Sequence, residues 1–355
     1  MTTLPYPTLF AFAEQVFAAI GCPPADATQA AETLLSADLR GVDSHGVARL
    51  TGYVRLWEAG RINPRPNVRV SYQTPSTAVV DGDGGLGLVV GPWAMRVAIG
   101  KAEEVGSGWV SVKNSNHFGI AGYHAMLGLP QRMIGVAMTN ASPLVAPTHS
   151  LARLLGTNPI AVAVPAGQEP PFVLDMATTT AANGKLEIAQ RQQLPIPEGW
   201  AQDANGQPST DPNAVRDGGA LLPLGGATGS HKGYGLGAVV DIFSAVLSGA
   251  NYGPWVPPFV AFLQPPADPV GQGLGHFFGA MRVDAFRPAD EFTAHMDHWI
   301  RTFRAAPPVP GQQVLIPGDP ERAAAAVRLV HGIPLLAAVV ADLESVGNKF
   351  GLRLG

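Results

Sequence analysis

The hydrophobic spacing of this 355-residue chain changes period twice, and that change restricts its fold more than any single motif does. Over the first sixty residues apolar side chains recur at the three-to-four spacing of helices that bury one face. Segments 7–20 and 24–39 read as helices, the second with Pro24 in its first turn, where the missing N–H is harmless. From residue 68 the apolar runs shorten and read as strands, at 68–72, 77–81, 109–113, 133–139, 159–165, 172–174 and 277–283. Helices are predicted between them at 91–104, 179–190 and 231–247, and residues 194–230 read as a long ordered loop. The tail returns to helix at 288–303, 320–331 and 335–350. Strands interleaved with helices argue for a mixed α/β core. The expectation is a helical domain built from both termini, residues 1–70 with 286–355, around an α/β core at 71–285.

Composition closes off several classes of function. A formal net charge of −4 without a Lys/Arg stripe gives no footprint for nucleic acid. Cys22 is the only cysteine, so neither an intrachain disulfide nor a thiolate metal site is available. The sequence has no H-E-x-x-H, and His295 and His298 read as a helix surface, so no metal is expected. The start lacks a basic n-region and Glu14 interrupts its apolar run, against a signal peptide. The longest apolar helix candidate, 234–247, contains Asp241 and is too short for a bilayer. A cytoplasmic protein without membrane partners is expected.

The densest chemistry lies in residues 38–53, DLRGVDSHGVARLTGY. Asp43 has the short carboxylate of a helix N-cap. A helix starting there sets His45, Arg49 and Tyr53 four residues apart on one face. An arginine can clamp a carboxylate and a histidine can move a proton. An exposed polar helix face satisfies the same spacing equally well. At a helix start, the dipole would lower the His45 pKa. Ser44 beside it lacks the G-x-S-x-G context of a hydrolase nucleophile.

Two glycine-rich stretches invite a nucleotide. Residues 82–87, GDGGLG, satisfy G-x-G-x-x-G, but the predicted helix begins only at Gly91 and no βαβ unit is evident, so an ordinary turn is favoured. Residues 229–235, GSHKGYG, lack P-loop spacing, yet glycines and Lys232 at a predicted helix N-terminus make a fair anion site. The run NSNHFG, 114–119, follows a strand, where His117 can exchange a proton and Gly119 admits close approach; a merely solvated histidine is the alternative. Asp175, at another strand end, can accept from a ribose or cap the next helix.

Taken together, DLRGVDSHGVARL, NSNHFGIAGY, LGTNPIAVAVP, FVLDMAT, LPIPEGW and HKGYGLGAVVDIFSAVLSGA, with VLIPGDPER and GIPLL near the end, resemble the type 2 malate/L-lactate dehydrogenase family, whose members include sulfolactate and ureidoglycolate dehydrogenases and cyclic imine reductases. The resemblance implies a non-Rossmann NAD(P)-binding mixed-sheet core, usually in a homodimer, and a small 2-hydroxy or 2-oxo acid as substrate. By matching motif it implies catalytic positions at Ser44, His45 and His117, the choice of proton-transfer histidine staying open. It implies substrate contacts at Arg49, Tyr53 and Thr157. Cofactor contacts fall at His117, Phe118, Gly119, Ile120, Ala121, Asp175, Met176, Ala177, Lys232, Pro317, Gly318 and Asp319. An Asp175 carboxylate at the ribose would slightly favour NAD over NADP. The chain departs from the family pattern in its longer glycine-rich segment 225–230 and in Asn140-Ala141-Ser142, where some relatives carry a lysine. An imine reductase of the same fold and a non-catalytic nucleotide-binding protein are the rival readings.

Overall fold

The computed structural model describes residues 2–355. In chain order its first elements are β1 (Thr2–Leu4), α1 (Tyr6–Ala19), α2 (Pro24–Leu39), α3 (Leu50–Glu58), β2 (Arg69–Gln73), β3 (Thr77–Asp81), α4 (Gly87–Val105), β4 (Ser107–Ser115), α5 (Ala121–Met126), β5 (Met133–Thr139), β6 (Ile160–Val164) and β7 (Phe172–Met176). There follow α6 (Asn183–Gln192), the two-residue strands β8 (Ala201–Gln202), β9 (Pro208–Ser209) and β10 (Ala220–Leu221), and α7 (Gly226–Asp241). The chain finishes with β11 (Leu274–Arg282), α8 (Ala289–Arg304), α9 (Asp319–His331), β12 (Ile333–Leu335) and α10 (Ala337–Phe350).

The apolar stripes of α1, α2 and α3 pack with α10 in one core that includes Leu9, Phe17, Leu34, Leu50 and Leu343. Strands β1 and β12 pair antiparallel and tie the two ends of the chain together. The middle forms a seven-stranded sheet in the order β2-β3-β4-β11-β5-β6-β7. Every neighbouring pair in it is antiparallel except β3 and β4. Its second core joins the sheet to α4 and α5 through Val80, Met95, Val110 and Phe278. Helix α8 docks beside the β6–β7 connection, where Asp297 accepts from the backbone N–H groups of Gly167, Gln168 and Glu169. Among the described residues, no helix is long and apolar enough to cross a membrane.

The structure corrects three local expectations. Helix α4 begins at Gly87 rather than Gly91, and the parallel pair β3 and β4 makes β3–α4–β4 a true βαβ unit. The glycines there nonetheless serve packing. A Cβ at Gly87 would fall 2.1 Å from the Asn116 carbonyl and 2.6 Å from that of His117, so the helix start presses directly on the backbone carrying His117. Helix α7 begins at Gly226, which puts Lys232 in its second turn and leaves no helix N-terminus for that side chain to serve. The segment read as one loop carries a small antiparallel sheet, β10-β8-β9.

Candidate active site

Between α2 and α3 the chain makes an irregular turn, and only Val47–Arg49 coil into a short 3₁₀ segment that leads into α3. Asp43 does not cap this segment; its N-terminal flanking residue is Gly46, and a carboxyl group reaches it from Asp38 of α2 instead. The Val47 N–H donates to Asp38 Oδ2 at 2.8 Å, and a Cβ at Gly46 would lie 2.1 Å from the same carboxylate. Asp43 instead pairs with Arg328 of α9. His45 therefore precedes the helix and is aimed by the turn, while Arg49 and Tyr53 remain one helical turn apart.

This turn brings the two histidines together. The rings of His45 and His117 stack with centroids 5.8 Å apart, and Phe259 packs 4.5 Å from His117. Tyr53 Oη lies 2.6 Å from His117 Nδ1, and Ser44 Oγ lies 2.8 Å from His45 Nδ1. Burial first, then the charge of Arg49, depresses the His45 pKa; the direction matches the sequence expectation, but the helix dipole is not its cause. Burial, His45 and Arg49 likewise hold the His117 pKa well below its ordinary value. Both rings are accordingly neutral near pH 7, the form that can accept a proton from a hydroxyl. The buried Tyr53 phenol is held protonated, so it can donate to Nδ1 or accept from it according to tautomer. Arg49 Nε donates to the Ser44 carbonyl at 2.5 Å, which fixes the guanidinium beside the histidines.

An inner cavity of about 60 Å³ is lined by His45, Arg49, His117, Ser142, Thr157 and Phe259. A second cavity of about 410 Å³ shares His45, Thr157 and Ala182 with it as a common wall. Gly119, Ile120, Ala121, Asp175, Met176 and Ala177 all line this larger space. Asp175 Oδ2 accepts from the Gly122 N–H at 2.8 Å, and its surroundings raise its pKa above the usual carboxylate range, burial being the leading cause. Arg40, Lys185 and Glu321 contribute charges, and Glu321 Oε2 is a buried acceptor with no protein partner. Its volume falls in the usual range for small-molecule sites. Cationic side chains, close-approach backbone and an orphaned acceptor suit a dinucleotide with phosphates and ribose hydroxyls.

Other expected contacts lie off this wall. Phe118 is buried between His124 and His276 and supports the His117 loop from behind. Lys232 is exposed on α7. Pro317 accepts from the Val173 N–H at 2.9 Å, Gly318 abuts Val173, and Asp319 is taken up by Arg304 and Arg322, so this turn braces β7 and the start of α9.

The family profile described as malate/L-lactate dehydrogenase matches residues 4–344. The chain belongs to the malate/L-lactate dehydrogenase family. It is 42% identical to malate dehydrogenase of Pyrococcus horikoshii over 354 residues, covering 99% of this chain and 96% of that protein. It is 39% identical to L-sulfolactate dehydrogenase of Methanocaldococcus jannaschii, covering 94% and 93%. The crystal structure of malate dehydrogenase from Entamoeba histolytica superposes with a TM-score of 0.92 at 33% identity, covering 99% of each chain. In this member of the malate/L-lactate dehydrogenase family the site also contains residues that sequence reasoning missed. Phe259 is one: its N–H donates at 2.8 Å to Ser142 Oγ, in the 140–142 segment already marked by its departure from the family pattern, and this seats the ring against His117. Glu187 pairs with Arg49, and Gly184 packs on Ser44. The prediction of helix around α6 was the one available signal for these two, and nothing in the sequence pointed to Phe259.

Proposed function

We propose that this protein is a nicotinamide-dependent dehydrogenase acting on CH–OH donors, which moves hydride reversibly between the coenzyme and C2 of a small 2-hydroxy or 2-oxo acid of the malate or lactate type. The observation carrying this reading is Arg49 in the wall of one small cavity with two neutral imidazoles. A guanidinium fork binds a carboxylate bidentately and fixes the acid's orientation. The hydroxyl on the adjacent carbon then faces His45 and His117, either of which can take its proton on oxidation and return it on reduction. Ser44 orients His45, and Tyr53 orients His117.

The coenzyme, when bound, supplies or receives the hydride. We assign it to the larger cavity, with Gly119–Ala121 and Asp175–Ala177 along it and Thr157 at the junction with the substrate. NAD is favoured slightly over NADP, because Asp175 and Glu321 would repel a 2′-phosphate. Lys232, Pro317, Gly318 and Asp319, which lie outside this cavity, are assigned as peripheral cofactor contacts on the family resemblance alone. Taking residues 1–70 with 286–355 as the helical unit and 71–285 as the core, both contribute to each cavity, the first through His45, Arg49 and Glu321 and the second through His117, Thr157 and Asp175. The assembly we propose is a cytoplasmic homodimer. Leu236, Val239, Phe243 and Val246 form an apolar stripe on α7 and its continuation, each at least 40% exposed, which a second copy would cover.

Following absorbance of the coenzyme with oxaloacetate, pyruvate and a cyclic imine 2-carboxylate, each against NADH and NADPH, tests the reading. Turnover of a 2-oxo acid is expected. Turnover of the imine alone would reassign the protein as an imine reductase, and coenzyme binding with no turnover would make it a nucleotide-binding protein. His117→Ala or His45→Ala should lower kcat by roughly 10²–10⁴ for the residue that moves the proton. Full activity in both variants would remove the histidines from the mechanism.

A further inference from the structure

We infer that Glu187 is an internal competitor for the substrate's carboxylate, and that α6 is the gate that must yield before an acid reaches Arg49. The inference rests on the assignment of Arg49 as the carboxylate clamp. Glu187 Oε2 lies 3.0 Å from Arg49 Nη2, and Oε1 lies 3.4 Å from Nη1, so the carboxylate faces both arms of the fork. That is the geometry a substrate acid would need. Asn183, one helical turn earlier, donates to Oε1 at 2.8 Å and holds Glu187 in this pose.

The cavities agree with a closed state. The inner space of about 60 Å³ holds only a few waters. On the far side of Arg49 lies a vestibule of about 400 Å³ that includes Glu187, Arg55, Arg191 and Arg216. The two spaces share Arg49, Asn183, Phe259 and Val260 as walls. Moving α6 outward therefore both frees the guanidinium and joins the vestibule to the histidines. Asp342 also lines the vestibule and pairs with Arg191 at 3.6 Å, which leaves Arg55 and Arg216 to draw an anion toward that opening.

Helix α6 is built to move at little expense. Of its ten residues only Gly184 and Leu186 are buried. Its start approaches the catalytic turn closely: a Cβ at Gly184 would lie 2.4 Å from Ser44 Cβ and 3.3 Å from Arg49 Nη2. A helix with few buried contacts occupies the low end of local stability. A substrate carboxylate can thus exchange with Glu187 on Arg49, one charge-assisted pair replacing another. Acids that cannot engage the fork bidentately would leave Glu187 in place, which makes the residue a filter on substrates.

The test is calorimetric titration of oxamate, an unreactive isostere of pyruvate, into the NADH-bound enzyme and its Glu187→Gln variant. Loss of the competing charge should tighten oxamate binding by about two- to tenfold. In the unmodified enzyme, hydrogen exchange over residues 183–192 should rise when oxamate is added. An unchanged or weaker affinity in the variant would overturn the gate and make Glu187 an orienting partner of Arg49. Slower exchange in α6 on oxamate addition would overturn it as well. Oxamate binding to neither protein would instead overturn the carboxylate-clamp reading of Arg49 on which the gate depends. Thermal midpoints of both proteins confirm that the comparison is between folded states.

Discussion

The phenol of Tyr53 lies 2.6 Å from Nδ1 of His117, a link between α3 and the loop that follows β4 across 64 positions of sequence. Tyr53 is fully buried, and its ring also meets Phe17 and Phe259 edge-on. The hydrogen bond fixes which ring nitrogen of His117 is left to face the cavity.

Tyr53→Phe keeps the aromatic packing and removes that tether. The variant should lose about 1 kcal/mol of stability, the usual net value of one hydrogen bond. Its kcat should fall about tenfold or more because His117 loses its preferred tautomer and orientation. Steady-state kinetics and a denaturant melt report the two separately. A stable variant with undiminished kcat would show that the tether has no part in proton transfer.

Arg49→Lys keeps the charge but loses the planar fork. KM for the acid should rise by about tenfold to a hundredfold, with kcat less affected. Ser44 is expected to loosen too, since Arg49 Nε holds its carbonyl. An unchanged KM would take Arg49 out of the substrate site.

Stability should peak near pH 6.5. His124 and His276 are fully buried, and burial lowers their pKa values to about 4 and about 3. Below the unfolded value of 6.5 the unfolded chain binds protons that the folded one refuses, so stability falls with pH from there. His45 and His117 are shifted in the same direction. Asp38 and Asp175 work oppositely: burial raises their pKa values to about 8 and about 6, so the stability their protonated forms contribute is progressively lost as pH rises through those values. Between pH 6.5 and 5 the four buried histidines outweigh these two carboxyls and the fall dominates. Thermal midpoints from pH 5 to 9 check this, and a midpoint insensitive to acid between 6.5 and 5 would contradict the neutral buried histidines.

Gly87→Ala should be among the most damaging single-methyl changes in the chain. The new Cβ would meet backbone carbonyl oxygen at 2.1 Å, so relief requires moving the Asn116–His117 backbone or the start of α4. Overpacking of this kind destabilises by about 1–3 kcal/mol or more, and His117 would shift with it. A denaturant midpoint close to that of the unmodified protein would refute the tight contact.

The helices at both ends were legible because each carries its own apolar stripe, and the strands because their runs are short, β-branched and bounded by turns. That Asp43 does not cap the following helix was not legible. Its carboxylate is short and well placed in sequence, and the outcome depends on Arg328, 285 positions beyond it, taking Asp43 for itself. The helix at Gly87 was hidden for a related reason. Glycine is a poor helix former, and only the close approach of residues 116–117 justifies it there. His45, Arg49, Tyr53 and His117 could be read from local motifs, but Phe259 and Glu187 join them only by chain return, which local pattern does not encode.

Arg328 also donates to the carbonyl of Asp38, at 2.5 Å, so the turn that aims His45 is pinned at both of its flanks by a helix near the end of the chain. During synthesis, the seven strands of the main sheet are complete in sequence before α9 leaves the ribosome, but α9 still has to supply Glu321 to the coenzyme cavity. The substrate half of the site must wait for it. A nascent or C-terminally clipped chain without α9 thus has its sheet but neither a pinned proton-transfer turn nor a whole coenzyme wall, so the chemistry depends on a helix supplied near the end of synthesis.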